Sequence, residues 1–261
     1  QLKNYTKAEE YYDKSRDIYE KNFNRNHPEY VRVISKLGKV FYMRKEYKKA
    51  KRNIEEALTN YELYIKQFIK YAGIPVVSLE SATLHPLQSL TDIITITEEL
   101  KKLKIKNQKP KIVLSWAPHV KPLPQCVANS FAQWINAWGK ADFVITHPED
   151  YELKEEYTKG ATITLNQEEA LKDADFVYVK NWSTYNDYGK IYTNDPKWQL
   201  KKKRWTLTNN AKVMHCLPVR RNVELSDAIL DGKMSIVTQQ ASNRVWAAQT
   251  VLSEILKAPI P

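Results

Sequence analysis

The residues with chemical potential gather in five short polar stretches that follow residue 77. They are "SLESATLHPLQ" from Ser78, "SWAPHVKPLP" from Ser115, "THPED" from Thr146, "VKNWSTY" from Val179 and "MHCLPVRRN" from Met214. These stretches supply Glu80, His85, Gln88, His119, Lys180, Trp182, His215, Cys216, Leu217, Arg220 and Arg221, to which a closing helix adds Arg244. A few cations beside imidazoles and an amide suit a small polar anion held by side chains. Each residue also has a plainer reading. His85 precedes Pro86 and can serve merely as the cap of the next helix. Cys216 can be a small apolar filler, and Arg220 and Arg221 can be surface charges. His119 is the weaker histidine of the set, and "KKKR" at 201–204 reads as a solvated face. Other chemistries are excluded. Six glycines fall into neither Gly-x-Gly-x-x-Gly nor Gly-x-x-x-x-Gly-Lys spacing, so no dinucleotide or triphosphate cradle is encoded. Cys126 and Cys216 lie far apart with no Cys-x-x-Cys pair, which suggests neither a disulfide framework nor a thiolate zinc site. No metal or cofactor is expected.

The elements that must position these residues alternate. Apolar runs "IPVVSL", "KIVLSWA", "DFVITHP", "ATITLN", "ADFVYVK", "KVMHCLP" and "SIVTQQ" are separated by helical patterns near 86–104 and 124–139, and a helix from about Arg244 to Leu256 closes the chain. Strands alternating with helices predict an α/β fold, a parallel sheet covered on both faces. The polar stretches then stand just past the carboxyl ends of strands, where such sheets bind ligands.

The first part of the chain reads differently. The whole chain has 261 residues, 43% of them hydrophobic, enough for one or two domains. All seven tryptophans follow residue 66, while nine of the sixteen tyrosines precede it. We therefore expect an all-α module over 1–66 and the α/β module over 67–261. "NYTKAEEYYDKS" from Asn4 returns as "EYKKAKRNIEEA" from Glu46, so that Tyr5 maps to Tyr47 and Ala8 to Ala50. Val33, Leu37, Val40 and Phe41 lie between them at helical spacing, which predicts helix, turn, helix, turn, helix. This segment resembles tetratricopeptide repeats. About one and a half units are present, and such arrays need about three to close a core, so the segment reads as the end of a longer array or a truncated one. A peptide or protein partner on it is an expectation. The net charge of +11 divides into +6 and +5 over the two modules, and no aromatic platform is interleaved with the lysines, so no nucleic acid is expected. No apolar run reaches membrane-spanning length and "QLKNYTKAEE" is no signal peptide, so a cytoplasmic protein without membrane contact is expected.

"HPLQSLTD" from His85, "HCLPVRRNVELSD" from His215 and "ASNRVWAAQTVLSEIL" from Ala241 resemble the second, ornithine-binding half of the N-acetylornithine and N-succinylornithine carbamoyltransferases. The resemblance covers roughly 70–261. It implies that His85, Gln88 and Arg244 donate to the carbamoyl oxygen while a backbone carbonyl at Cys216 or Leu217 accepts from its NH2. It also implies that an amine attacks directly and expels phosphate, with His85 and Arg244 stabilising the growing charge. Glu80, Lys180, Trp182, His215 and Arg220 are the implied acceptor-binding residues. Free-ornithine relatives carry Asp-x-x-Ser-Met-Gly where this chain has "VKNWSTYNDYGK". The change removes a carboxylate and offers Lys180 and Trp182, which points to an acylated ornithine, succinyl or acetyl, as acceptor with carbamoyl phosphate as donor. The resemblance further implies arginine biosynthesis and a homotrimer. The Ser-x-Arg-Thr segment with which relatives bind phosphate is absent from this sequence, so little turnover unaided is expected. The alternative is a helical-repeat interaction protein with a non-catalytic transferase-like domain.

Overall fold

The computed structural model describes residues 2–102, 109–187 and 190–257. The chain divides into two compact units, one ending at Val77 and the other beginning at Ser78. The composition break near residue 66 falls inside a helix that continues to Tyr71.

The first unit contains α1 (Leu2–Asn22), α2 (Pro28–Met43) and α3 (Tyr47–Tyr71). Pro28 occupies the start of α2 because its missing N–H is not needed there, and His27 Nδ1 caps the helix by accepting from the Glu29 amide at 3.2 Å. The expected apolar face of α2 is buried: Val33, Leu37 and Phe41 pack with Ala50, and Tyr30, Val31 and Ile34 with Ala57. Gly38 lets α2 and α3 approach so closely that a Cβ there would stand 2.8 Å from Ile54 Cγ1.

The second unit is a five-stranded sheet of β1 (Lys111–Trp116), β2 (Asp142–Thr146), β3 (Thr162–Thr164), β4 (Phe176–Lys180) and β5 (Lys212–Met214). All pairings are parallel, in the order β3-β2-β1-β4-β5. Its long helices are α4 (Pro86–Lys102), α5 (Cys126–Trp138) and α10 (Val237–Lys257), and its short ones α6 (Glu155–Thr158), α7 (Gln167–Leu171), α8 (Lys202–Trp205) and α9 (Asp227–Leu230). Side chains alternate along each strand. Ile112, Leu114, Trp116, Phe176 and Tyr178 face a core shared with Ile96 of α4 and Phe131 of α5, while Val113, Val177 and Val179 face Leu171 of α7 and Leu230 of α9. The sheet is thus covered on both sides, as the apolar runs predicted.

Two of those runs are not strands. "IPVVSL" is irregular, with Ile74 64% exposed and Val77 and Leu79 exposed too, because it has no neighbouring strand to complete its hydrogen bonds. "SIVTQQ" makes one parallel bridge, Ser235 to Val213, and then turns into α10. The closing helix therefore starts at Val237 rather than near Arg244, and this places Gln240 and Asn243 in a buried seam against α4. Residues 103–104 of the expected 86–104 helix lie outside the described residues.

Candidate functional site

The chain runs from β1 to β2 to β3 in one direction and from β4 to β5 in the other, so the strand order reverses between β1 and β4. A reversal of this kind opens a crevice at the carboxyl ends of the strands. A cleft of about 530 Å³ lies there, within the second unit. The segment after β1 contributes His119, Leu123, Pro124, Cys126 and Val127, and β4 contributes its last residue, Lys180. The loop after β5 contributes Cys216 to Arg220, while Glu80, His85, Gln88 and Arg244 close the other side. Eight of the ten residues to which the resemblance gives roles therefore meet around one space, although they span the chain from Glu80 to Arg244.

Trp182 and His215 do not line it. Trp182 is 0% exposed; its indole donates to the Tyr151 carbonyl at 2.7 Å, and its own carbonyl accepts from Trp116 Nε1 at 2.9 Å. A large aromatic two residues past Lys180 completes the core beneath the strand ends, so Trp182 supports the cleft wall from behind. His215 is also 0% exposed. Its Nδ1 accepts from the Leu217 amide at 2.9 Å, so the hydrogen sits on Nε2, which donates to Glu224 Oε1 at 3.3 Å. Burial lowers the imidazole pKa and keeps it neutral. Burial works to raise the Glu224 carboxyl, yet the His215 hydrogen bond holds it below its usual range. Glu224 Oε2 also accepts from the Arg220 amide at 2.7 Å. His215 and Glu224 thus brace the loop that presents Cys216 and Leu217.

His85 is not a side-chain cap. Its carbonyl accepts from the Gln88 and Ser89 amides and its amide donates to Ser130 Oγ at 2.7 Å, but its buried Nδ1 has no partner. The contrast with His27, also followed by proline, is direct: one imidazole ends a helix and the other is kept for the cleft. Burial lowers the His85 pKa, with Arg244 and Lys180 adding to the effect and Glu80 opposing it, so the ring is neutral at pH 7. Gln88 differs from the expected donor. Its Nε2 donates to Asp92 Oδ1 at 2.8 Å, which leaves Oε1 as a buried acceptor without a partner.

Both cysteines are free and both line the cleft. Burial, reinforced by Glu80, pushes the Cys126 thiol up to about 12, and burial raises Cys216 as well. Neither is a thiolate nucleophile. Among the described residues, Lys180, Arg220 and Arg244 make no ion pair. Arg221 is the opposite case, clamped by Asp227 and Asp231 at 2.7–2.8 Å. Adjacent arginines in "VRRN" thus divide between the cleft and a surface cluster. Glu80 is the one carboxylate among the lining residues, 57% exposed at its side chain and 3.9 Å from His85 Nε2. No three of His, Cys, Asp and Glu among the described residues are grouped to hold a metal ion, and no described helix is long and apolar enough to cross a membrane. The supporting residues Asp92, Ser130, Glu224 and Gln240 were missed at sequence level. Asp92 and Glu224 lie inside the quoted motifs, but nothing in spacing alone marks a buried hydrogen-bond partner.

Residues 125–255 match the family model described as the Asp/Orn binding domain of aspartate/ornithine carbamoyltransferase. The chain belongs to that family. Residues 1–62 match the tetratricopeptide repeat model. Among similar proteins, the N-succinylornithine carbamoyltransferase of Bacteroides thetaiotaomicron is 48% identical over 198 residues, 75% of this chain and 60% of that protein. The N-acetylornithine carbamoyltransferase of Xylella fastidiosa is 29% identical over 211 residues, 74% of this chain and 62% of that protein. A crystal structure of N-acetyl-L-ornithine transcarbamylase superposes with a TM-score of 0.66 at 29% identity, over 74% of this chain and 64% of that one. A mutant of that enzyme complexed with carbamyl phosphate and N-succinyl-L-norvaline gives the same TM-score. This carbamoyltransferase-family chain spans about 60% of the length of the curated relatives it matches.

Proposed function

We propose that the α/β unit binds an acylated L-ornithine, N-succinyl-L-ornithine first among them, and presents its side-chain amine to the carbamoyl group of carbamoyl phosphate. The observation that carries this reading is the set of three cations without a carboxylate partner, Lys180, Arg220 and Arg244, around one cleft. N-Succinyl-L-ornithine brings two carboxylates and one ammonium, and these cations offset the carboxylates. Glu80 is the matching anion for the ammonium before its proton leaves. Free ornithine carries a second ammonium, for which the cleft has no second carboxylate. The identity with N-succinylornithine carbamoyltransferases, 48% against 29% for the acetyl enzyme of Xylella, supports the succinyl choice.

In the transfer, the neutral amine forms a C–N bond to the carbamoyl carbon, the carbon–oxygen bond to phosphate breaks with its electron pair going to the phosphate oxygen, and the proton shed by the amine nitrogen leaves on the departing phosphate. Negative charge grows on the carbonyl oxygen, where Arg244 and neutral His85 stabilise it. The two thiols stay protonated and form no covalent intermediate. Catalysis is positioning plus charge stabilisation.

Isothermal titration of the chain with N-succinyl-, N-acetyl- and free L-ornithine tests the reading. Heat with the succinyl compound, less with the acetyl compound and none with free ornithine is the expected order. No heat with either acylated amine would overturn it and favour a repeat-based interaction protein with a scaffold domain. With no Ser-x-Arg-Thr segment in the sequence, formation of N-succinyl-L-citrulline by this chain alone is expected to be slow.

A further inference from the structure

A chain of hydrogen bonds beneath the cleft has a direction that backbone chemistry fixes. The His215 amide can only donate, and it donates to Gln240 Oε1 at 2.9 Å. Gln240 must therefore turn Nε2 away, and that nitrogen donates to Asp92 Oδ1 at 2.7 Å. Asp92 Oδ1 is thus an acceptor in either state of the carboxyl, and any proton it carries sits on Oδ2. Gln88 meets the same oxygen at 2.8 Å, so it too must present Nε2. Its Oε1 then has only the cleft left to face, buried and without a partner. Asp92 and Gln240 are each 0% exposed and line no part of the cleft.

We propose that Asp92 and Gln240 are positioning residues that fix which end of the Gln88 amide faces the ligand. Gln88 then reads the NH2 end of a carbamoyl or ureido group and rejects its carbonyl end. The relay ties together three elements that come from distant parts of the sequence: α4 carries Gln88 and Asp92 one turn apart, α10 carries Gln240, and the loop after β5 carries His215. The orientation of a ligand-reading amide is decided by a backbone N–H two side chains away. Burial raises the Asp92 carboxyl to about 7, and the ionisable groups around it are Tyr178 on β4, Cys216 past β5 and Arg244 on α10.

The ligand part of this inference rests on the proposed function, so the test has two arms. N-Succinyl-L-citrulline and N-succinyl-L-ornithine differ at the ureido end, and the ratio of their affinities isolates the Gln88 contact. D92N keeps an oxygen where Oδ1 stands and should hold the ratio within about threefold, whereas D92L frees the Gln88 amide to rotate and should shift it about tenfold against citrulline. A ratio in D92L within about twofold of wild type, or D92N as impaired as D92L, would overturn the relay. The second arm needs no ligand. The side-chain NH2 resonances of Gln88 and Gln240 should move together with a single midpoint near the Asp92 pKa, and should stop moving in D92N. Separate midpoints, or an amide whose resonances D92N leaves in place, would also overturn the relay, even should D92L fail to fold. Wild-type protein that binds neither ligand would instead refute the proposed function, leaving the resonances to decide the relay.

Discussion

Lys180→Met separates the binding role of the cleft from its structural role. Lys180 is the last residue of β4, 8% exposed, and without an ion-pair partner among the described residues. Its charge is felt across the cleft: it opposes the burial that raises the Cys216 thiol, and it adds to the larger effects that lower His85, His215 and Glu224. A hydrogen bond from such a cation to a ligand carboxylate contributes about 1.5–3 kcal/mol, and an unscreened pair near a protein surface sets a ceiling of about 4 kcal/mol at 4 Å. About 2 kcal/mol is a reasonable centre, so the Kd for N-succinyl-L-ornithine should rise about 30-fold in K180M. Stability should respond the other way. A largely buried cation with no protein anion costs desolvation, and methionine removes that cost while keeping the stem packed. K180M should therefore unfold at the same or a higher temperature than wild type. Titration calorimetry and thermal denaturation on the same preparation read both quantities. A Kd changed by less than about threefold would refute the reasoning, and so would a clear fall in the denaturation midpoint.

Other consequences follow from individual residues. Arg220→Ala should weaken acylornithine binding about tenfold, while Arg221→Ala, which breaks only the exposed pairs with Asp227 and Asp231, should leave binding within about twofold; calorimetry distinguishes the two neighbours. The Asp92 carboxyl, raised from 3.8 to about 7 by burial, contributes stability that is full below pH 4 and lost as pH rises through 7. On linkage the loss is at most on the order of 4 kcal/mol, so D92N should be increasingly more stable than wild type between pH 5 and 8 in denaturant titrations. Glu224, held below its usual range, has the opposite sign: its contribution is present above pH 4.5 and lost as pH falls through its folded value, and Glu224→Gln should flatten the acid limb. Gly38→Ala would gain about 1 kcal/mol of helix propensity but place a Cβ 2.8 Å from Ile54 Cγ1, an overpacking that costs about 1–3 kcal/mol. Net destabilisation, relieved by adding Ile54→Val, is the expected result of chemical denaturation.

Much of the fold was readable because its signals are local. β1 and β4 are buried on both faces and read as continuous apolar runs, and the α2 stripe repeats at helical spacing. "IPVVSL" and "SIVTQQ" carry the same local signal, yet neither becomes a strand, because a strand exists only where a neighbour completes its hydrogen bonds. The cleft residues were readable because they stand in polar stretches after apolar runs. Their orientation was not. Nothing around Gln88 in sequence says which end of its amide is free, and Trp182 and Lys180 look equally available until the core claims the tryptophan.

The sequence by itself determined the two modules, the parallel α/β class, the carbamoyltransferase motifs and the absence of a phosphate-cradling glycine loop, since these depend on residue types and short spacings. Only the tertiary structure decided which residues share the cleft and which support it. Gln88 and Gln240, Arg220 and Arg221, His85 and His27 are chemically equivalent pairs in the sequence. Each pair is divided by partners that lie at varied distances along the chain, because a side chain's role follows from the groups that folding brings within hydrogen-bond reach.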